Sequence, residues 1–462
     1  MHQHVRPSMK PFNPVEGFLT INDRGHLAIE EIDTVFLAEK YGTPLYVISE
    51  DRIRENFRRW FKALTSKRLR TKIFYALKAN PLLAVCRILQ QEGAGFEVGG
   101  PGELYIAELL GMPPDRIVLN GNNKSRQELR RGIEMGATIN VDSISELRAI
   151  QEEAEGLDTV ARIAFRINPD VRPATGEVHL ELWTALRESK FGIDVESGLA
   201  YKACETAMQM KNINVVGLHI HLGSPVEDIL PYRVGAERTM EFARGLKEKL
   251  GVNLRFINIG GGFAIPFKHK DGLPPPEEYA ETVISVVYQK TREFGLNEPD
   301  LMLEPGGAMV GDAAILLLKV GMTKETPGIA KWVAVDGGAN IILRASQEWY
   351  TYQFVAANKM LENDTQTVNI AGPLCYSGDV LARNRRMPNL LEGDILAALD
   401  VGAYTFTYEF HGAGSHPLPS IVLVNGEGVD DLIRRSETLA DLVSKDMIPR
   451  RLLEVEEVCP DE

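Results

Sequence analysis

Lys72-Ile-Phe-Tyr-Ala76-Leu-Lys78-Ala-Asn80 sets a short, β-prone run against a lysine at its C-terminal end. Read outward from it, the same pattern returns. Gly95–Val98, Arg116–Leu119, Thr138–Val141, Arg162–Ile167, Val215–Ile220, Arg255–Ile259 and Leu301–Leu303 are also short and rich in β-formers. Longer stretches with amphipathic helical spacing separate them, as in Ser145–Ala154 and Val234–Leu250. Alternating β and α segments imply a parallel sheet. Eight such units between Lys72 and Leu303 fit a (β/α)8 TIM-like barrel, with a doubly wound open sheet as the alternative.

The flanks read differently. Gly17–Val47 carries two short β-like runs. Beyond Ala313, strand-like runs dominate: Ile315–Val320, Lys331–Asp336, Gln366–Ile370, Asp394–Ala398 and Ile421–Val424. Turn signals such as Asp336-Gly337-Gly338 and Asn425-Gly426 punctuate them. The expectation is a barrel over 47–312, a mostly β domain over 313–462, and N-terminal strands within 1–46 that join that β domain. The tail from Asp430 to Arg451 reads as a short helix and an extended end.

Composition narrows the function classes. The chain has 462 residues, 44% hydrophobic and 25% charged, which suits a folded globular protein of two or three domains. Fifty-one basic against 64 acidic residues leave a net charge of −13, which argues against nucleic-acid or anionic-membrane partners. No apolar run reaches the roughly 18–20 residues that span a bilayer, and the N-terminus lacks a signal-peptide core. Cys86, Cys204, Cys375 and Cys459 stand far apart, without metal or disulfide spacing. A reducing cytoplasm is the expected home.

Barrels place chemistry at the C-terminal ends of their strands. Lys78 follows the first run, Glu97 and Glu103 come with the second, Asn120 the third and Asp142 the fourth. Arg166 ends the fifth, His219 and His221 the sixth, Gly260-Gly261-Gly262 the seventh, and Glu304-Pro-Gly306 the eighth. Three bare glycines let backbone N–H groups approach an anion, and barrels commonly hold phosphate near strands seven and eight. A tight turn is the ordinary reading of a glycine run. The Ser224 hydroxyl adds a phosphate donor. A lysine desolvated at a barrel mouth has a lowered pKa and forms Schiff bases; a lone lysine is more often a surface charge. Glu304 can keep a pyridine-type nitrogen protonated, or simply cap a helix. Lysine, phosphate loop and carboxylate together point to pyridoxal 5′-phosphate (PLP).

With these motifs in place, the chain resembles the fold-type III PLP decarboxylases, among them diaminopimelate, ornithine and D-ornithine/D-lysine decarboxylases, over roughly residues 30–430. Tyr75-Ala-Leu-Lys78-Ala-Asn80 resembles the family's Schiff-base segment. Gly217-Leu-His-Ile-His221-Leu-Gly-Ser224 is similar to its ring-stacking and phosphate segment. Gly260-Gly-Gly262-Phe263, Glu304-Pro-Gly306 and Gly402-Ala-Tyr404 match its phosphate and pyridine-nitrogen contacts. Gly372-Pro-Leu-Cys375-Tyr-Ser-Gly-Asp379 matches its catalytic-cysteine segment.

The resemblance implies an alanine racemase/ornithine decarboxylase-like fold. It implies His221 on the cofactor ring, Glu103 and Arg166 supporting the pocket, and Cys375 as proton donor. It also implies a homodimer, with the cysteine loop of one subunit completing the other's site. The substrate side departs from the diaminopimelate enzymes. Gly307 stands where the family has arginine, and Tyr376 where they have glutamate. Arg344 retains their distal-carboxylate arginine, and Glu348 replaces a tyrosine. Arg344, Glu348, Tyr376 and Tyr404 are therefore the expected substrate contacts. The main expectation is a PLP-dependent decarboxylase for an amino acid other than diaminopimelate. The alternatives are a meso-diaminopimelate decarboxylase, an amino-acid racemase, and a PLP-binding homologue without turnover.

Overall fold

The computed structural model describes residues 12–15, 17–65, 68–173, 182–265, 272–347 and 350–453. Eight parallel strands form the barrel in sequence order: Thr71–Ala76, Gly95–Val98, Ile117–Leu119, Thr138–Val141, Ala161–Asn168, Ile213–His219, Phe256–Asn258 and Asp300–Leu303. They are called strands one to eight below. Leu301 pairs with Thr71, so strand eight closes onto strand one. The open-sheet alternative is thereby excluded.

Strand residues alternate between two cores. Ile73 and Tyr75 pack outward against the helices, while Phe74 joins Val118, Ala164, Val216, Phe256 and Met302 in a separate cluster filling the barrel. Glycine is required where the rings crowd a neighbouring strand. A Cβ at Gly95 would lie 2.6 Å from Phe74, and one at Gly217 2.4 Å from Phe256.

The helices follow from caps and stripes. Ser49 caps the helix Glu50–Leu64 by accepting the Arg52 N–H. Ile53, Phe57, Trp60 and Leu64 then recur at helical spacing on its buried face. Removing Trp60 would open a cavity costing about 3–5 kcal/mol.

The second sheet draws on both ends of the chain. Leu45–Ser49 lies between Ala314–Thr326, antiparallel to it, and Ser420–Val424, parallel to it. Ala330–Val335, Gln366–Ala371 and Val380–Met387 extend one side, and Asp430–Arg434 the other. Phe354–Ala356 pairs with Ile395–Leu399. The tail differs from its sequence reading, because Asp430–Arg434 is an edge strand before the short helix Leu439–Val443. Among the described residues, no helix is long and apolar enough to cross a membrane.

Candidate active site

Lys78 stands in a single helical turn directly after strand one. Its Nζ donates to Glu97 Oε2 at 2.8 Å. The lysine side chain is about half exposed (47%) while Glu97 is buried (1%), so solvent screens one side of the pair only. Burial opposes the ammonium charge, but Glu97, Tyr404 and Glu304 outweigh it and raise the lysine pKa. This corrects the expectation of a lysine made basic-poor by desolvation. Its charged neighbours decide instead, and Nζ is held as an ammonium.

Glu304, after strand eight, is a buried carboxylate held by three side chains. Asn258 Nδ2 donates to Oε1 at 2.7 Å, and Asn120 Nδ2 donates to Oε2 at 3.0 Å. His219 Nε2 lies 3.0 Å from Oε2, and the acceptor-only carboxylate makes that nitrogen the donor. Burial alone would raise its pKa, but His219, Lys78 and Asn258 hold it below the ordinary carboxylate range. Glu304 is therefore an anion over the physiological range. Asn120 also donates to Glu97 Oε1 at 2.8 Å, so one amide ties both acids together.

His221 is buried beside these groups, and burial, Lys78 and Arg166 hold its pKa well below the ordinary value. Its Nδ1 accepts the Gly261 N–H at 3.2 Å, which fits a neutral ring. The glycine loop is tightly constrained. A Cβ at Gly261 would lie 2.0 Å from the Glu304 carbonyl oxygen, and one at Gly262 1.8 Å from that of Gly223. Gly260 and Gly262 also have φ of +72° and +86°, where glycine is favoured. Phe263 anchors the loop from behind, with ring centroids 4.5 Å from Trp60 and 4.9 Å from Tyr232.

Ser224, Gly262, Gly307, Arg344, Tyr350 and Tyr404 line one pocket. Tyr404 reaches it from the β domain with φ +56°, a strained value for an aromatic residue. Its N–H donates to Ala79 O at 2.8 Å, beside Lys78, and a Cβ at Gly306 would lie 3.2 Å from its hydroxyl. Arg166, at the end of strand five, has its guanidinium 4.3 Å from the Phe191 ring centroid, with Asp142 at 3.8 Å. Glu103 accepts the Gly99 N–H at 2.7 Å. Burial and the nearby Glu97 push its pKa up to about 7.

The residues expected from the sequence on the substrate side are less unified. Arg344 sits in the turn Leu343–Ser346, with its guanidinium 4.5 Å from the Tyr404 ring, 5.2 Å from Tyr350 and 5.9 Å from Tyr408. Glu348 lies outside the described residues. Cys375 and Tyr376 are exposed on the β domain, and neither forms a hydrogen bond to the Lys78 cluster among the described residues. The structure thus gathers Lys78, His221, Glu304, Tyr404 and Arg344 but leaves the cysteine loop outside the same chain's cluster.

Sequence reasoning gave no role to Glu97, Asn120, His219, Asn258, Tyr350 or Tyr408. The first three were visible as polar groups at strand ends. Asn258 was hidden within the apolar run Arg255–Ile259, and the tyrosines come from distant loops. A separate surface cleft, lined by Phe18, Arg52, Arg58, Arg59, Glu277 and others, contains none of these residues.

The geometry passes a direct test for PLP. Glu304 is anionic with three donors already fixed, leaving acceptor capacity for a protonated ring nitrogen. The glycine loop forms a cradle that any Cβ would fill. Lys78 Nζ stands near both glutamates.

The chain belongs to the fold-type III PLP-dependent decarboxylases and is a carboxy-lyase acting on an amino acid. The family described as "Pyridoxal-dependent decarboxylase, pyridoxal binding domain" matches residues 50–311. Diaminopimelate decarboxylase of Methanocaldococcus jannaschii is 41% identical over 434 residues, 93% of this chain and 97% of the relative. That of Bacillus subtilis is 35% identical, over 92% of this chain and 96% of the relative. The crystal structure of the M. jannaschii enzyme in complex with L-lysine superposes with a TM-score of 0.88 at 40% identity, covering 94% of this chain and 99% of that one.

Proposed function

We propose that this enzyme removes one carboxylate from a diamino dicarboxylic acid of the diaminopimelate class. We also propose that it works as a homodimer in which each subunit's Cys375 loop serves the neighbouring site. Whole-length similarity to diaminopimelate decarboxylases favours this substrate over the different one suggested by Gly307, Tyr376 and Glu348. Arg344 is the observation that carries the reading. A guanidinium ringed by tyrosines, in the pocket shared with Ser224 and Tyr404, suits a second carboxylate that simple monocarboxylic amino acids lack.

The residues then take the following roles. Lys78 Nζ holds the cofactor, with Glu97 orienting the nitrogen. Ser224, Gly260, Gly261, Gly262, Gly306 and Tyr404 surround its phosphate. Neutral His221 packs on the ring face, and Arg166 and Glu103 support the pocket. Glu304 keeps the proton on the ring nitrogen. PLP, when bound, supplies the sink for the electron pair left behind by CO2. Cys375 Sγ delivers a proton to Cα, and Arg344 holds the distal carboxylate, with Tyr376 and Glu348 toward the distal amine. The cytoplasm is the proposed compartment, since the three described cysteines are free thiols.

A CO2-release comparison of meso- and L,L-diaminopimelate, lysine, ornithine and their distally acylated forms tests the substrate. The highest kcat/KM is expected for meso-diaminopimelate. A clear preference for an acylated substrate would overturn it in favour of a less cationic distal group, which the uncharged Tyr376 would suit better than glutamate.

A further inference from the structure

Cys375 and Arg344 stand on different loops, and one buried carboxylate touches both. Asp379 is 3% exposed. Its Oδ1 accepts the Ala339 N–H at 2.6 Å, and its Oδ2 accepts the Leu374 N–H at 2.8 Å. Ala339 belongs to the turn Asp336-Gly-Gly-Ala-Asn340 that leads into Arg344, and Leu374 immediately precedes Cys375. Among the described residues, no lysine or arginine forms an ion pair with this carboxylate.

The two loops close on Asp379 without slack. A Cβ at Gly338 would lie 2.5 Å from Oδ2, and one at Gly372 would lie 2.3 Å from it. Gly372 also approaches so closely that its Cβ would stand 2.4 Å from Gly338 Cα. A third segment joins them, because Cys375 N–H donates to Ala413 O at 3.1 Å and Phe410 N–H to Asn340 O at 3.0 Å. A carboxylate buried on neutral amides is tolerated only while each donor stays in place. Moving either loop alone would leave a buried charge short of a partner.

We propose that Asp379 is a positioning residue for decarboxylation. It fixes the Cys375 loop, which serves the neighbouring site, to the Arg344 turn of its own subunit, so the thiol offered to one site and the substrate-anion turn of the other keep one mutual geometry. This rests on the roles proposed above for Cys375 and Arg344. Asp379→Asn is the direct probe. It keeps the shape but replaces one acceptor oxygen with an NH2 group facing a backbone N–H.

The holoenzyme and its D379N variant are compared by visible absorption for PLP content, by steady-state kinetics, and by hydrogen exchange of peptides covering 336–346 and 372–379. The variant is expected to retain PLP, because no barrel contact changes. Its kcat/KM should fall roughly tenfold to a hundredfold, the scale of a lost charged hydrogen bond or an ångström of misplacement. Both peptides should exchange faster together. Unchanged kcat/KM, loosening of 372–379 alone, or activity falling only in step with PLP content would overturn the proposal. Should D379N fail to fold, Gly338→Ala pushes on the same carboxylate without removing a donor, and the same pattern is expected from it. A wild-type enzyme that releases no CO2 from any amino acid tested overturns the substrate reading instead, while the exchange measurement still decides whether Asp379 couples the loops.

Discussion

The barrel mouth and the β-domain side of the site are built on different principles. At the mouth, Lys78, Glu97, Asn120, Glu304 and His219 form one continuous chain of charge-assisted contacts, all on strand ends or the residues next to them. Across from it, the Arg344 guanidinium lies against the rings of Tyr404, Tyr350 and Tyr408, and Cys375 is exposed on a loop fastened by backbone amides. The first arrangement fixes charge before any ligand arrives, as electrostatic preorganisation requires. The second sits on loops, where substrate preference can change without disturbing the barrel. The proposed roles, with cofactor residues on the barrel and substrate residues on the loops, follow this division.

Substitutions can break or sharpen that contrast. Lys78→Ala should abolish turnover, and borohydride reduction of the wild-type holoenzyme followed by peptide mapping should place the cofactor on Lys78 alone. A label on another lysine would move the centre of the barrel side. Cys375→Ala should lower kcat roughly 10²–10⁴-fold, the share of a positioned acid, while leaving PLP affinity unchanged. Unaltered product formation would remove the cysteine loop from the chemistry. Glu304→Gln preserves the hydrogen-bonding outline but not the charge. A kcat loss of roughly 10²–10³-fold with PLP still bound is expected, measured by CO2 release against PLP content.

Arg344→Lys tests the opposite side. Exchanging a planar fork for a point charge should raise KM about tenfold for a dicarboxylic substrate and change it little for lysine. Equal effects on both substrates would detach Arg344 from the distal carboxylate. The smallest effect belongs to Glu103, whose pKa stands at about 7 chiefly through burial. The folded state then binds its proton more tightly than the unfolded chain. The associated stability is present at low pH and falls as pH rises from the ordinary carboxylate range through about 7. Glu103→Gln should therefore melt higher relative to wild type at pH 8 than at pH 5, by about 1–2 °C. A pH-independent difference would show that Glu103 does not titrate there.

The barrel was legible because two signals coincided. Apolar runs of strand length recurred, and each ended in a polar or glycine-rich group where barrel chemistry belongs. The β domain was less legible. Val380-Leu-Ala-Arg-Asn-Arg-Arg-Met387 and Asp430-Asp-Leu-Ile-Arg434 are outer strands whose charged residues mask the pattern, and Phe354–Ala356 is too short to stand out. In the site, Glu97 and Asn120 declared themselves as strand-end residues, but the contact of Asn120 with Glu304 depends on barrel closure. The position of Tyr350 and Tyr408 around Arg344 depends on loops meeting in space. Nothing local in Gly372–Asp379 reveals that its last residue grips a turn beginning at Asp336.

Leu45–Ser49 has a consequence for how the molecule is made. Emerging early from the ribosome, it cannot gain its parallel neighbour until Ser420–Val424 has been synthesised, because Leu45 pairs with Ser420 and Val47 with Val422. The barrel's hydrogen-bonded circuit, by contrast, is complete once Leu303 has followed Thr71. Contacts this distant in sequence form slowly, since the intervening chain must first be drawn together. During translation the catalytic cup can therefore close while the sheet that supplies Tyr404 and the cysteine loop is still missing its final members.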